Sequence, residues 1–300
     1  MTSANVSYDV PVQPSALTQI RRTLFTTLRK LSRRPLSLVG LVIVLVFIFL
    51  AIFGPNIAPY RFDELIRGAT RQPPSELYLF GTDRLGRDVF SRVLWGAREI
   101  IALPAIATAL SVLFGATIGL FAGYFGGWID EVISRFLDGL LAIPALVLAL
   151  VMLGTIGPSS FGIVVVIVIL YTPIVARVIR SATLNMRALG FIEAAKLRSE
   201  STAYILFREI LPGVLPALVV ESALRFSYAI FLTASLGFLG LGVQPPSPDW
   251  GRMVNEARET FAQTPWELWA PAAAIALLVI GVNLLSDGLR SIFRYEGQLV

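Results

Sequence analysis

The chain has 300 residues, 55% of them hydrophobic and only 15% charged, with a mean hydropathy of +0.73. So few charges cannot cover a water-facing surface, and several uncharged runs are long enough to cross ~30 Å of hydrocarbon. An ordinary soluble domain is therefore excluded in favour of an all-α, polytopic membrane protein. There is no cysteine and no histidine, which removes disulfides, thiol chemistry and the commonest general base and metal ligand. The net charge of +5 fits basic residues flanking membrane spans rather than a nucleic-acid surface.

Residues 1–35 form a polar tail carrying Arg21, Arg22, Arg29, Lys30, Arg33 and Arg34. The first apolar run, 36–54, is too long for a signal-peptide core and reads as an uncleaved first span with the basic tail inside. A polar excursion over 55–98 follows on the outer side. Within it, Leu85, Val89, Arg92, Val93 and Gly96 fall near one helical face, which predicts a short helix lying along the membrane interface.

Residues 100–127 carry no charge and predict the second span. Gly115, Gly119, Gly123 and Gly127 recur every fourth position, a spacing that lets another helix of this chain or of a second subunit approach closely. Residues 139–176 are also uncharged and are long enough for two spans, with Gly154 to Ser160 as the turn and Pro144 and Pro173 inside the spans. The fifth span begins near Gly213 and ends near Gly240. A proline- and glycine-rich loop then carries Trp250 and, further on, Trp266, both placed at an interface. Residues 268–286 form the sixth span. The Lys and Arg distribution favours both termini in the cytoplasm, although the first outer loop is itself basic. No internal repeat is visible.

Between the fourth and fifth spans lies a polar, mixed-charge stretch, 189–212, which must protrude into water. Leu189 to Leu197 predicts a short helix, Ser199 to Thr202 an interruption, and Ala203 to Ile210 a second helix, together forming a knob on the cytoplasmic side. Alanines at 194 and 195 leave one face free for close packing. The chain has no Gly-x-x-x-x-Gly-Lys-Ser/Thr phosphate loop, no HExxH and no Gly-x-Ser-x-Gly, so any energy from a nucleotide must come through another chain. Deep in the fifth span, Glu221 and Arg225 stand at i and i+4. Charges in a span are functional-site candidates; a translocation-path role and a structural ion pair remain equally open. A self-contained channel or proton-coupled carrier using Glu221, and a membrane hydrolase, are the alternatives to a transport subunit.

The stretch with Glu193, Ala194, Ala195, Ser199, Phe207, Arg208, Leu211 and Pro212 resembles the EAA loop of ABC-importer permeases. That pattern carries glycine where Ser199 stands and often an apolar residue at Glu209, so a relaxed or shifted turn is expected. Phe80-Gly81-Thr82-Asp83, Leu85-Gly86-Arg87-Asp88-Val89, Tyr124 to Trp128, Leu236 to Pro246 and Asn283 to Arg290 also match in order. Over roughly 36–293 the chain is similar to the C-type permeases of the dipeptide/oligopeptide/nickel importer family. The resemblance implies six helices of the type I importer kind, with the loop at 189–212 docking on ATPases and a five-helix core over 99–290. It also implies a B-type permease partner, two cytoplasmic ATPase subunits, an extracytoplasmic solute-binding protein and surrounding lipid. ATP and Mg belong to the partner subunits, with no cofactor, metal or catalytic residue in this chain. Peptides are the implied cargo, with nickel chelates, glutathione and oligosaccharides as alternatives.

Overall fold

The computed structural model describes residues 34–296; the basic tail and the last residues of the expected C-terminal tail lie outside them. Nine helical elements are described: α1 (Pro35–Ile57), α2 (Val89–Phe125), α3 (Gly127–Leu141), α4 (Ala145–Ile156), α5 (Ser160–Arg187), α6 (Gly190–Leu197), α7 (Thr202–Phe238), α8 (Trp250–Arg258) and α9 (Pro265–Glu296). Five of them, α1, α2, α5, α7 and α9, are long and apolar enough to span a membrane, and α3 with α4 is a bent pair with the geometry of a broken span or a re-entrant loop. Among the described residues the only β-type pairing is a bridge between Thr82 and Asp88.

Two boundaries differ from the sequence expectation. No separate interfacial helix precedes the second span. Asp88 caps the N-terminus by accepting from the Ser91 amide at 2.8 Å, and α2 then runs unbroken for 37 residues through Arg92, Arg98, Glu99 and Pro104. At 1.5 Å per residue it is about 56 Å long, so its first turns stand clear of the hydrocarbon and the charges there are tolerated. The expected helix was in fact the first turns of a span, and the loop ends at 88. The third expected span is likewise not one straight helix. Its two halves meet at an angle of 85° across Ala142–Pro144, where proline cannot continue the hydrogen-bond ladder. The 12-residue α4 is too short to cross alone. The turn before α5 falls at 157–159, where Ser159 accepts from the Gly162 amide at 3.0 Å.

The glycine stripe of α2 packs on α5 of the same chain. A Cβ at Gly119 would sit 2.5 Å from the Ala176 carbonyl, and Gly115 and Gly123 are equally filled by Val175 and Thr183. Gly127 does not belong to the stripe; it begins α3 at φ +59° with open space around it. Arg180 on α5 pairs with Asp130, and Arg177 with Asp138, tying α3 to α5.

Three apolar clusters hold the bundle. One joins α1, α2, α7, α8 and α9 through Phe47, Val93, Ile230, Trp250 and Leu278. Trp250 is fully buried and donates from Nε1 to the Val93 carbonyl at 3.1 Å; Trp266 donates to the Thr82 carbonyl at 3.2 Å. Both tryptophans thus pack against α2 and the long loop before it. A second cluster joins α2, α4, α5 and α7. The third, with Ile179, Ile192, Ala195, Ile205, Leu206 and Ile210, fixes α6 to α2, α5 and the start of α7.

Candidate functional site

The knob at 190–210 is built differently from two free helices. α6 is a short helix whose inner face, Ile192 and Ala195, is fully buried, while Glu193 and Ala194 face outward. The two alanines thus have separate roles: Ala195 fits the core and Ala194 lies on the open face. After α6 the Ser199 amide donates to the Lys196 carbonyl at 2.9 Å and the Glu200 amide to the Ala195 carbonyl at 3.2 Å. This is the paired closure of a Schellman cap, whose C′ residue lies in the left-handed region. Ser199 has φ +59°. The turn is therefore neither relaxed nor shifted; serine takes the conformation that glycine adopts without a Cβ penalty.

Ser201 then caps the next helix, accepting from the Tyr204 amide at 3.2 Å. That helix is not a second free arm. It passes through a π-helical segment, Ile205–Ile210, directly into Leu211 and the rest of α7, so knob and span are one continuous element. The wider π-turn holds Ile205, Leu206 and Ile210 in the core while presenting Phe207, 54% exposed, and Arg208. Leu211 is half-buried, and Pro212 is exposed where the π-segment gives way to the regular α-helical part of α7. Leu197, 87% exposed, and Phe191 complete an apolar rim. Glu209 leans toward Arg198, 3.9 Å away, so the residue that departs from the family pattern has a local charge partner.

Glu221 and Arg225 are brought together as expected, Nε to Oε1 at 2.8 Å, with side-chain exposures of 9% and 13%. The pair lies near the middle of α7. Neither atom makes a well-directed hydrogen bond. The guanidinium instead lies over Tyr228 on α7 and Tyr171 on α5, 4.9 and 5.5 Å from the ring centroids.

At the opposite end of the bundle is a charged cluster that the sequence reading did not assemble. Asp83 Oδ2 accepts from Arg87 Nε at 2.6 Å and from Arg92 Nη1 at 2.9 Å, all nearly buried. Glu256 on α8 receives Arg87 at 3.2 Å and Arg252 at 3.1 Å. Asp83 Oδ1 also accepts the amides of Leu85 and Arg87. The cluster welds the long loop to α2 and α8. The i, i+4 spacing of Asp83 and Arg87 was the available signal; Glu256 lies too far along the chain to be paired by spacing. Beside it, Asp249 caps α8 by accepting from the Arg252 amide at 2.7 Å, and burial, reinforced by Glu99, pushes its pKa up to about 6.

Comparison with known proteins agrees with this architecture. A family model described as a binding-protein-dependent transport system inner membrane component matches residues 115–294. A second, the N-terminal TM domain of oligopeptide transport permease C, matches residues 24–74. The chain is 40% identical over 262 residues to the dipeptide transport system permease protein DppC of Alkalihalophilus pseudofirmus, covering 87% of this chain and 86% of the relative. It is 38% identical over 268 residues to the glutathione transport system permease protein GsiD of Pectobacterium atrosepticum, covering 87% of each. A chain from the inward-facing MetNI methionine ABC transporter superposes with TM-score 0.55 and 19% identity, over 68% of this chain and 95% of that one, a likeness of fold alone. The chain belongs to the binding-protein-dependent ABC importer permeases, in the branch of the dipeptide and oligopeptide C-type subunits.

Proposed function

We propose that this chain is the C-type permease subunit of an ATP-driven importer of di- or oligopeptides, pairing with a B-type permease in the cytoplasmic membrane. Two cytoplasmic ATPase subunits drive the complex, with the knob seated in a groove on them, and an extracytoplasmic solute-binding protein delivers cargo at the opposite end. Both termini lie in the cytoplasm. The chain itself is non-catalytic and holds no cofactor; ATP and Mg bind in the ATPase subunits. The observation that carries the coupling role is a knob with a buried base, Ile192 and Ala195, an exposed apolar rim, Leu197 and Phe207, and an unbroken run into a span. Peptide cargo is supported by the relatives named for dipeptides and for glutathione, itself a tripeptide. A self-contained proton carrier is disfavoured because Glu221, the best-placed relay carboxylate, is already paired with Arg225.

The test is Ala194→Arg in the four-subunit complex reconstituted with its binding protein. Ala194 is exposed, so membrane level and thermal stability stay normal. Uptake falls about tenfold or more while ATP hydrolysis continues, the loss expected when a charge enters a well-packed docking centre. Unchanged coupled uptake would refute the docking role.

A further inference from the structure

We propose that Arg225, flanked by Tyr171 and Tyr228, is a transient carboxylate site on the translocation path, with Glu221 as the ligand it exchanges. The inference rests on the peptide-importer reading above.

Arginine has five donors in a rigid fork. Among the described residues Arg225 makes no hydrogen bond that meets directional criteria, and its Nε lies 2.8 Å from Glu221 Oε1 in a misaligned pair. A purely structural pair at this depth would be expected to have its remaining donors taken by carbonyls or hydroxyls of neighbouring helices. Here the neighbours are aromatic faces, 4.9 and 5.5 Å from the guanidinium carbon, which stabilise a cation without occupying its donors. Tyr171 closes the inner side and is 7% exposed, whereas Tyr228 is 53% exposed. The cation is thus mostly enclosed, 13% exposed, with Tyr228 as its exposed wall.

The chemistry that fits is a carboxylate, received end-on or bidentate by a guanidinium. A peptide crossing the membrane carries one at its C-terminus, and that charge is costly at mid-depth. Glu221 keeps Arg225 neutralised between substrates and competes with the incoming carboxylate, so the site holds cargo weakly enough to release it. A pathway site must satisfy both conditions.

The test compares initial uptake of one dipeptide and of its C-terminal amide by the reconstituted complex, each normalised to its measured occupancy of the binding protein. The expected result is a carboxylate-over-amide preference in the wild type that falls about tenfold in Arg225→Gln. The preference returns in Arg225→Lys and rises in Glu221→Gln with slower maximal uptake. The double variant Glu221→Gln/Arg225→Gln leaves no buried charge unpaired, so it separates loss of the site from loss of folding; it too should lose the preference while keeping the ATPase subunits bound. A preference unchanged in the double variant, or none in the wild type despite peptide uptake, overturns the site. Absence of any peptide uptake by the wild type overturns the peptide reading and the site with it.

Discussion

At Ser199 one side chain meets a backbone requirement that it suits poorly. The Schellman closure of α6 needs a left-handed residue after Arg198, and the chain supplies serine at φ +59°. A Cβ in that region costs roughly 1 kcal/mol relative to glycine. Ser199→Gly is therefore expected to stabilise the knob by about 0.5–1 kcal/mol, read as slower hydrogen exchange across 190–200. A second residue-scale consequence concerns Asp249. Its folded pKa of about 6 lies above its ordinary 3.8 because burial disfavours the charged form. The folded state holds this proton more tightly than the unfolded state, so its contribution is full below pH 3.8 and is lost as pH rises through about 6. Raising pH from about 5 to about 8 should cost of order 1 kcal/mol through this residue. Asp249→Asn keeps an acceptor for the Arg252 amide, so thermal unfolding of that variant should lose this part of the pH slope.

Among the elements, the long loop over 58–88 is tied to the bundle by a buried charge cluster as well as by aromatic contacts such as Phe62–Trp95 and Phe80–Phe90. Asp83 receives two arginines and two amides with 4% side-chain exposure. Removing Asp83 leaves Arg87, Arg92 and Arg252 to share Glu256 alone, an excess of buried positive charge that costs about 3–5 kcal/mol. Asp83→Ala should release the loop from α2 and α8, visible as new protease cleavage within 58–88 while the spans remain intact. The same cluster explains which elements could be read from the sequence. Uncharged runs at 36–54 and 268–286 marked α1 and α9 because no charged residue interrupts them. The start of α2 was missed because the uncharged run begins only after Arg98 and Glu99, and the partners that bury Arg92, Asp83 and Glu256, are brought in only by the fold. The 85° break at Ala142–Pro144 was hidden for the opposite reason, since an uncharged run gives no sign of direction. In the candidate site, the location of the knob was legible from its polarity. The division of labour between Ala194 and Ala195 was not, because it depends on how α6 rotates against α2, α5 and α7.

For the molecule as a whole, the knob is part of the bundle rather than an appendage. Ile192 and Ala195 of α6, Ile205, Leu206 and Ile210 of the π-segment, and Ile179 of α5 share one core, and the π-segment runs into α7 without a hinge. On the proposed docking role, a push on the knob would reach α5 and α7 together, and α7 carries the Glu221–Arg225 pair. This makes core stiffness a condition of coupling, separate from docking. Ile192→Ala removes a fully buried side chain and should loosen α6 by about 2–4 kcal/mol, leaving the exposed rim at Leu197 and Phe207 unaltered. Measured side by side in proteoliposomes, ATPase subunits should still bind this variant and hydrolyse ATP, but more ATP should be consumed per peptide delivered. Uptake and hydrolysis falling in strict proportion would instead mean that the knob serves only to attach the ATPases, and the rigid-transmission account would fail.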